Sequence, residues 1–323
     1  MNGNLSSATS DKNYDMPLLS LCIPTNGIIE LIFPVLDSIY SQQVQQNLFE
    51  VVVMDNGDNE KFQSMIADYA KKHSNLHYYH TDKKLFLNEP ESYKAAKGEF
   101  IKFVNHRTKL VPGALQYFID FVNANIEEKP FVYFLDGQNV GWSSGQTVQI
   151  YDSFDEFVVG LSYWSSWSTG MGFWKSDFDQ LADDVKYNTL FPHTTILFSQ
   201  RHKSKYIIDN TLLLDEIKIN HAKKGSYDVY YAFAVEYVSI LLELVRDGDL
   251  KINSFLKLKD ENLESLVGLY LKFNIKKEPH SYDLRSFKEA ISVYYSKSQF
   301  FKKVVRKACK KCKKILFPHF QTD

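Results

Sequence analysis

From Leu18 onward, short runs of β-branched and apolar residues alternate with longer segments in which apolar residues recur every three or four positions. The short runs predict buried strands, and the longer segments predict amphipathic helices. Regular alternation of the two is typical of a largely parallel sheet covered by helices, so we expect an α/β fold. The predicted strands are 18–24, 50–55, 76–80, 100–105 and 131–135, and the predicted helices are 28–41, 59–73, 88–97 and 112–126.

The pattern changes in the second half of the chain. After about residue 140 an aromatic-rich stretch begins, and beyond Asn210 long segments of helical period predict helices at 227–247, 256–273 and 286–317. We therefore expect a flexible polar leader (1–16), an α/β domain (17–210) and a helical C-terminal region (211–323). The most apolar long segment, 230–245, contains two glutamates and is too short for a membrane span, so it predicts a buried helix.

The last predicted helix is both amphipathic and strongly basic. Its apolar face carries Phe301, Val304, Val305, Ala308, Cys312, Ile315 and Leu316, and eight cations occupy the opposite face. This pattern is typical of attachment to an anionic membrane surface, although a solvated helix or an acidic protein partner would also explain it. The membrane contacts are expected from Lys302, Lys303, Arg306, Lys307, Lys310 and Lys311.

Composition and charge narrow the classes of protein. The 323 residues are 44% hydrophobic and 24% charged, which is typical of a globular chain with a substantial core. The formal charge of −1 lacks the basic excess of a nucleic-acid-binding protein. Three cysteines are too few for a disulfide framework, and the Cys309-x-x-Cys312 spacing has no second pair, so neither a zinc site nor a redox motif is expected.

Polar residues follow the predicted strands at the points where ligands bind in open α/β sheets. These strand ends read Pro24-Thr25-Asn26, Asp55-Asn56-Gly57 and Asn105-His106-Arg107. A carboxylate that follows a buried strand can accept hydrogen bonds from ribose hydroxyls or a base N–H, so Asp55 is a candidate nucleoside contact. An ordinary Asp-Asn-Gly turn is the alternative.

Three segments together carry a resemblance to a known family. LSLCIPTNG, EVVVMDNGD and AAKGEFIKFVNHRTKLVPGAL resemble family 2 nucleotide-sugar glycosyltransferases over roughly residues 18–200. The resemblance implies a GT-A fold, in which helices sandwich a Rossmann-type sheet, here followed by the helical C-terminal region. It also implies sugar transfer from a nucleotide donor with inversion at the anomeric carbon. The nucleoside contacts that it implies are Pro24, Thr25, Asn26 and Asp55.

The sequence departs from the family where an Asp-rich metal motif is usual. Asn105-His106-Arg107-Thr108 contains no carboxylate, and Mg²⁺ or Mn²⁺ prefers carboxylate oxygens, so a divalent cofactor is doubtful and no metal ligand is assigned. Asn105, His106 and Arg107 are instead expected at the diphosphate, where Arg107 or His106 would offset its charge directly. A solvent-facing strand cap or a site without catalysis are the alternatives.

An inverting transfer needs a group that takes the proton of the acceptor hydroxyl. In the family an acidic residue often does this, downstream of a Gly-rich aromatic segment. Here the matching helix start reads Phe191-Pro192-His193, so His193 is the candidate base, with Asp183 and Asp184 as rivals. A local hydrogen bond of His193 and a solvated loop for the two aspartates are the alternatives.

Two tryptophans in the aromatic stretch, Trp164 and Trp167, are candidate acceptor contacts because flat rings stack on sugars. Core packing is the rival interpretation.

Taken together, the sequence predicts a glycosyltransferase that acts on a hydroxyl of a cell-envelope glycan of the capsule, O-antigen or teichoic-acid kind. A UDP-sugar is the expected donor, a glycan or lipid-linked glycan the acceptor, and the inner face of the cytoplasmic membrane the location. A non-catalytic GT-A-like subunit that assists a partner transferase is the alternative from another class. A polyprenyl-phosphate sugar synthase is weakened by the absence of hydrophobic C-terminal spans and of the acidic metal motif.

Overall fold

The computed structural model describes residues 16–138, 145–218 and 226–316, with side chains described as far as residue 309. Within these ranges the chain forms two compact units. The first comprises the chain up to Lys129 together with Gly172–Asp183 and Leu213–Asp215. The second comprises Pro130–Met171, Asp184–Leu212 and the chain from Glu216 onward.

The strands of the described residues follow in chain order. They are β1 (Leu19–Thr25), β2 (Phe49–Asp55), β3 (Leu76–His80), β4 (Phe100–Phe103), β5 (Thr108–Leu110), β6 (Phe131–Phe134), β7 (Val148–Tyr151), β8 (Met171–Trp174), β9 (Tyr206–Asp209) and β10 (Leu214–Glu216).

The helices are numbered in the same way. They are α1 (Ile29–Tyr40), α2 (Glu60–Ala70), α3 (Asn88–Ala95), α4 (Ala114–Asn125), α5 (Phe154–Leu161), α6 (Lys175–Phe178), α7 (Pro192–Ser199), α8 (Val229–Tyr231), α9 (Tyr237–Arg246), α10 (Ile252–Tyr270), α11 (Phe287–Tyr294) and α12 (Lys297–Leu316). A π-helical turn at Ala232–Glu236 joins α8 to α9, and another at Leu271–Ile275 ends α10.

The first unit is built on the strand order β3-β2-β1-β4-β8. β1 lies between β2 and β4 and is parallel to both, β3 is parallel to β2, and β8 is antiparallel to β4. β2 is buried along its whole length, as expected for a central strand of a parallel sheet covered on both faces. The carboxyl ends of β1 and β2 are in register, with Thr25 opposite Asp55.

The amino ends of β1 and β2 are held together by a buried glutamate, Glu50. Its Oε1 accepts hydrogen bonds from the Ser20 hydroxyl (2.6 Å), the Lys97 N–H (2.5 Å) and the Gly98 N–H (3.2 Å). A Cβ on Gly98 would lie 2.7 Å from the Ser20 hydroxyl oxygen, so only glycine permits this close approach.

The second unit contains the strand order β6-β9-β7, with β6 parallel and β7 antiparallel to β9. Its C-terminal part is helical, and α12 packs on α10. Phe300 is buried, and the Lys303 ammonium lies 3.0 Å from an Asp260 carboxylate oxygen and 2.7 Å from one of Glu264.

Most of the predicted elements are confirmed. The five predicted strands correspond to β1, β2, β3, β4 and β6, and the four helices between them to α1–α4. The α/β fold with a helical C-terminal region is likewise confirmed. The predicted leader lies almost wholly outside the described residues, and the domain boundary at residue 210 stays a prediction.

The prediction of one helix over 286–317 is wrong, because the chain breaks between α11 and α12. Tyr295 is extended and buried, and its hydroxyl donates to the Lys259 carbonyl (3.1 Å). A new helix begins after Ser296, whose hydroxyl accepts from the Gln299 N–H while Gln299 Oε1 accepts from the Ser296 N–H. This reciprocal pair is a capping box, and its Ser-x-x-Gln spacing was visible in the sequence.

Within the described ranges, no helix combines the length and the apolar character that a membrane crossing requires.

Candidate active site

Asp55 ends the buried strand β2 and is itself fully buried. Its Oδ1 accepts a hydrogen bond from the Gly57 N–H (2.9 Å), and its Oδ2 accepts one from the Tyr78 hydroxyl (3.1 Å). Burial raises the pKa of Asp55, and these two hydrogen bonds offset part of that shift. The carboxylate is therefore fixed at the strand end, and each oxygen keeps a lone pair for a further donor.

Thr25 ends β1 beside Asp55 and is the contact point for the loop after β4. Its hydroxyl oxygen accepts from the Gly27 N–H (3.2 Å) and lies 3.0 Å from Nδ1 of His106. Burial, followed by the neighbouring Arg107 charge, lowers the pKa of His106 to about 3. His106 is therefore neutral at physiological pH, so Arg107 is the one of the two predicted diphosphate contacts that carries a charge.

Asn105 orients Arg107 at the same edge of the sheet. The Asn105 side-chain oxygen accepts from the Arg107 N–H at 3.1 Å and lies 3.5 Å from its Nε, and Arg107 itself is half-buried. The donor residues predicted from the sequence, Pro24, Thr25, Asn26, Asp55, Asn105, His106 and Arg107, thus belong to the ends of three adjacent strands, β2-β1-β4, of the first unit. We call this set the donor edge.

The residues after β4 do not fit a divalent cation. A guanidinium cannot coordinate a metal, the Asn105 oxygen already accepts from Arg107, and no carboxylate follows the strand. No group of three or more His, Cys, Asp and Glu side chains in the described part of the chain is arranged to hold a metal ion.

Two supporting residues, Tyr78 and Asn88, were missed by the sequence analysis, and a third, Gly57, was named there only as part of a turn. Tyr78 on β3 holds Asp55, and buried Asn88 donates to the carbonyls of Thr25 (3.0 Å) and Met54 (3.3 Å). A Cβ on Gly57 would lie 2.3 Å from the Asn26 carbonyl oxygen, so the turn after Asp55 needs glycine. Only Gly57 carried a signal, in its Asp-Asn-Gly turn.

The predicted acceptor residues Trp164 and Trp167 belong to the second unit. Both are half-buried and meet edge to face, with ring centroids 5.7 Å apart. The Tyr133 hydroxyl donates to the carbonyl of Trp164 (2.7 Å) and to that of Trp167. Gly170 packs against the Tyr133 ring so closely that a Cβ would lie 2.0 Å from it. The Tyr133 side chain therefore holds the backbone of the segment that carries Trp164 and Trp167.

His193 lies in the first turn of α7 and is only 2% exposed. Its Nε2 donates to the Ser165 carbonyl (3.2 Å), and the Ser165 hydroxyl lies 2.7 Å from that of buried Tyr237. Burial lowers the pKa of His193 to about 4, with the Ser165 bond opposing the shift. The ring is therefore neutral and enclosed, which suits holding the turn before Trp167 better than meeting a substrate.

The rival proton acceptors, Asp183 and Asp184, are both exposed in a turn. Asp183 is the last residue of a first-unit segment and Asp184 the first of a second-unit segment. Their role as proton acceptors stays a prediction.

The six basic residues predicted to contact a membrane differ in their surroundings. Lys302 and Arg306 are exposed beside the exposed apolar residues Phe301 and Val305. Lys303 and Lys307 reach α10 instead, where Lys307 donates to the Glu264 carbonyl (3.1 Å). The side chains of Lys310 and Lys311 lie outside the described part.

Residues 20–125 match the family model for glycosyl transferase family 2. The segment that matches lies within the first unit. The matched segment contains every residue of the donor edge, and the chain is accordingly a glycosyltransferase.

Solved structures with this fold align with most of the chain at low identity. One is a 1–349 fragment of TarS from S. aureus in complex with UDP-GlcNAc, with a TM-score of 0.59 and 15% identity over 88% of this chain and 81% of the fragment. Another is the mannosyltransferase PcManGT from Pyrobaculum calidifontis in complex with GDP-Man and Mn²⁺, with a TM-score of 0.50 and 15% identity over 95% and 89%. These likenesses establish the GT-A type of fold. No curated protein matches the sequence.

Proposed function

We propose that the chain transfers a sugar from a UDP-sugar to a hydroxyl group of a cell-envelope glycan, with inversion at the anomeric carbon and without a divalent metal. The observation that carries this proposal is the donor edge. It places a buried carboxylate, a threonine bound to a neutral histidine and an arginine at three adjacent strand ends of a family 2 domain.

Asp55 is the proposed nucleoside contact. A nucleoside offers ribose hydroxyls and a base N–H, and all of these are donors that the free lone pairs of the carboxylate can accept. TarS and PcManGT were solved with UDP-GlcNAc and GDP-Man, which supports a nucleotide-sugar donor here.

Arg107 is the proposed partner of the departing diphosphate. The bond between the anomeric carbon and the diphosphate oxygen breaks as the acceptor oxygen attacks from the opposite side, so negative charge grows on the diphosphate. A permanent guanidinium stabilises that charge through charge-assisted hydrogen bonds.

The acceptor proton goes to a carboxylate in this proposal. Asp183 or Asp184 is exposed and can receive it, whereas His193 is enclosed and acts as a positioning residue for the turn before Trp167. Trp164 and Trp167 are the proposed acceptor contacts.

The first test measures thermal stability with UDP, GDP, UDP-sugars and GDP-sugars, each with manganese or with a chelator. A ligand at about 100 times its Kd adds about 2.7 kcal/mol to the free energy of unfolding, which raises the Tm by several degrees. We expect a rise with uridine nucleotides that survives the chelator. A rise that requires manganese would refute the metal-free site, and no rise with any nucleotide would refute the donor assignment.

We further propose that α12 holds the enzyme on an anionic membrane through Phe301, Val305, Lys302 and Arg306. Each basic residue near such a surface contributes about 1 kcal/mol. The double variant Lys302→Glu/Arg306→Glu should lose binding to vesicles of phosphatidylglycerol, whereas Lys288→Glu, an exposed change on α11, should lose little. Equal vesicle binding by all three proteins would exclude this face.

A further inference from the structure

A groove of about 760 Å³ lies within the second unit, between α5, the turn at residues 162–166 and the start of α10. We propose that this α5–α10 groove binds a neutral saccharide chain. Its identification as part of the acceptor glycan rests on the proposed function, whereas the binding itself does not.

Two aromatic rings form one wall of the groove. Tyr163 and Trp164 are half-buried, and their centroids lie 5.0 Å apart with an interplanar angle of 31°. They therefore present adjacent, tilted flat surfaces, which suit the C–H faces of successive sugar rings. The Tyr133 hydroxyl holds the carbonyl of Trp164, so little ordering is needed on binding.

A carboxylate in the groove has an unmet hydrogen-bonding capacity. Oε2 of Glu261 is buried and has no hydrogen-bond partner among the described residues, while Oε1 lies 4.0 Å from the Lys257 ammonium. Buried polar atoms without a partner are uncommon in folded proteins. A sugar hydroxyl is a neutral donor of the size and polarity that this oxygen requires.

The charges of the groove favour a neutral ligand. Its lining contains the carboxylates of Asp155, Glu156 and Glu261 and the ammonium groups of Lys251 and Lys257. Asp155 already accepts from the Lys251 N–H (2.7 Å) and the Ser254 hydroxyl (2.8 Å). Polyphosphate-like chains would meet a net negative wall, whereas a polyol can donate to Glu156 and Glu261 and accept from the lysines.

The test uses saturation-transfer difference NMR to measure ligand binding to the full chain. The probes are cellotetraose, maltotetraose and chitotetraose, with polyphosphate as the anionic probe. We expect at least one tetrasaccharide to bind and polyphosphate not to compete with it. Tyr163→Ala and Glu261→Gln should each weaken tetrasaccharide binding at least about fivefold. Because Glu261→Gln is nearly isosteric, it keeps the test valid if Tyr163→Ala does not fold.

Matched controls are Tyr231→Ala and Glu243→Gln, two exposed residues of the same unit outside the groove lining, which should retain binding within about twofold. Absence of tetrasaccharide binding, binding of polyphosphate instead, or equal losses in groove and control variants would overturn the proposal. The nucleotide-induced rise in Tm is measured separately. Tetrasaccharide binding without that rise would refute the donor assignment alone, and the rise without tetrasaccharide binding would refute the groove alone.

Discussion

Strand β2 carries two buried carboxylates, one at each end, and their surroundings differ. Glu50 at the amino end accepts from Ser20, Lys97 and Gly98, and its second oxygen lies 3.4 Å from His77 Nε2. Asp55 at the carboxyl end accepts one hydrogen bond on each oxygen. Both residues are at most 2% exposed.

The difference shows that burial alone does not distinguish a carboxylate used by the fold from one with capacity left for a ligand. Glu50 has its capacity used by groups that belong to the fold, so it joins β1, β2 and the segment before β4. Asp55 stands where parallel strands end and keeps capacity for a ligand. The comparison assigns stability to Glu50 and donor binding to Asp55, and each assignment can be tested.

The largest expected effect is the loss of stability in Glu50→Ala. The change removes the acceptor of the buried Ser20 hydroxyl and of the partly buried Lys97 N–H, whereas the Gly98 N–H keeps the Ser20 hydroxyl oxygen at 2.8 Å. Each buried group that loses its acceptor costs about 1–3 kcal/mol. Urea unfolding should show a loss of about 4 kcal/mol. Glu127→Ala, an exposed glutamate of the same unit, should change stability by less than about 0.5 kcal/mol. Similar losses in the free energy of unfolding for the two variants would show that Glu50 does not stabilise the fold.

Asp55→Ala should weaken nucleotide binding strongly and change stability less, in contrast to Glu50→Ala. We expect UDP affinity to fall at least about 100-fold, equivalent to about 2.7 kcal/mol, because the nucleoside loses its carboxylate. Stability should change by less than in Glu50→Ala, since the bonds of Asp55 with the Gly57 N–H and the Tyr78 hydroxyl are partly buried, whereas the bond of Glu50 with the Ser20 hydroxyl is buried. Calorimetric titration and urea unfolding of the same preparations measure both quantities. Retained UDP affinity would contradict the assignment.

Arg107→Ala should lower turnover more than it lowers nucleoside affinity. Removing one group that stabilises developing charge typically costs about 100-fold in kcat, and a half-buried arginine should give tenfold or more. Uridine affinity should stay within about threefold, because uridine has no diphosphate. Arg107→Lys keeps the charge but not the planar fork, so we expect partial recovery. Equal losses in turnover and uridine affinity would place Arg107 at the nucleoside instead.

His193 extends the comparison to the second unit, as an enclosed group with a structural role. Its pKa in the fold is about 4, below the ordinary value of 6.5, so between these pH values only the unfolded chain gains the proton. Stability should therefore fall as the pH drops below 6.5, by about 1.4 kcal/mol per pH unit from this residue. His106 adds a slope of the same sign.

His193→Gln should reduce the pH dependence of the free energy of unfolding by the contribution of one proton, about 1.4 kcal/mol per pH unit. The glutamine amide should still donate to the Ser165 carbonyl. Urea unfolding at pH 7, 6 and 5 measures the slope, and donor turnover measured alongside should persist. An unchanged slope would show that His193 protonates in the fold, and a loss of turnover at unchanged stability would restore it as the proton acceptor.

The strands of the first unit could be predicted because short stretches of sequence specify them. The runs at Leu19–Thr25 and Phe49–Asp55 and the polar residues after them specify strands and strand ends, and parallel pairing then brings Thr25 and Asp55 together. The four-residue strands β4 and β6 were predicted, whereas β7, β8 and β9, of the same length, were missed because they lie after residue 140, where the alternation of strand and helix patterns is lost.

The contacts that determine the role of each candidate residue could not be predicted from the sequence. Tyr78 reaches Asp55 across 23 positions, and His193 meets the Ser165 carbonyl across 28. No local pattern specifies such pairs, so the candidate base seemed open in the sequence and is enclosed in the fold. Likewise, Lys303 and Lys307 belong to a basic face in the sequence, yet α10 binds them.

The most direct test of the central claim is calorimetric titration of UDP into the wild type and Asp55→Ala, each in the presence of EDTA. The account predicts binding to the wild type and a loss of at least about 100-fold in the variant, because the donor edge binds nucleotide through its own side chains. Wild-type binding that appears only when manganese replaces EDTA, or equal binding by the two proteins, would contradict it.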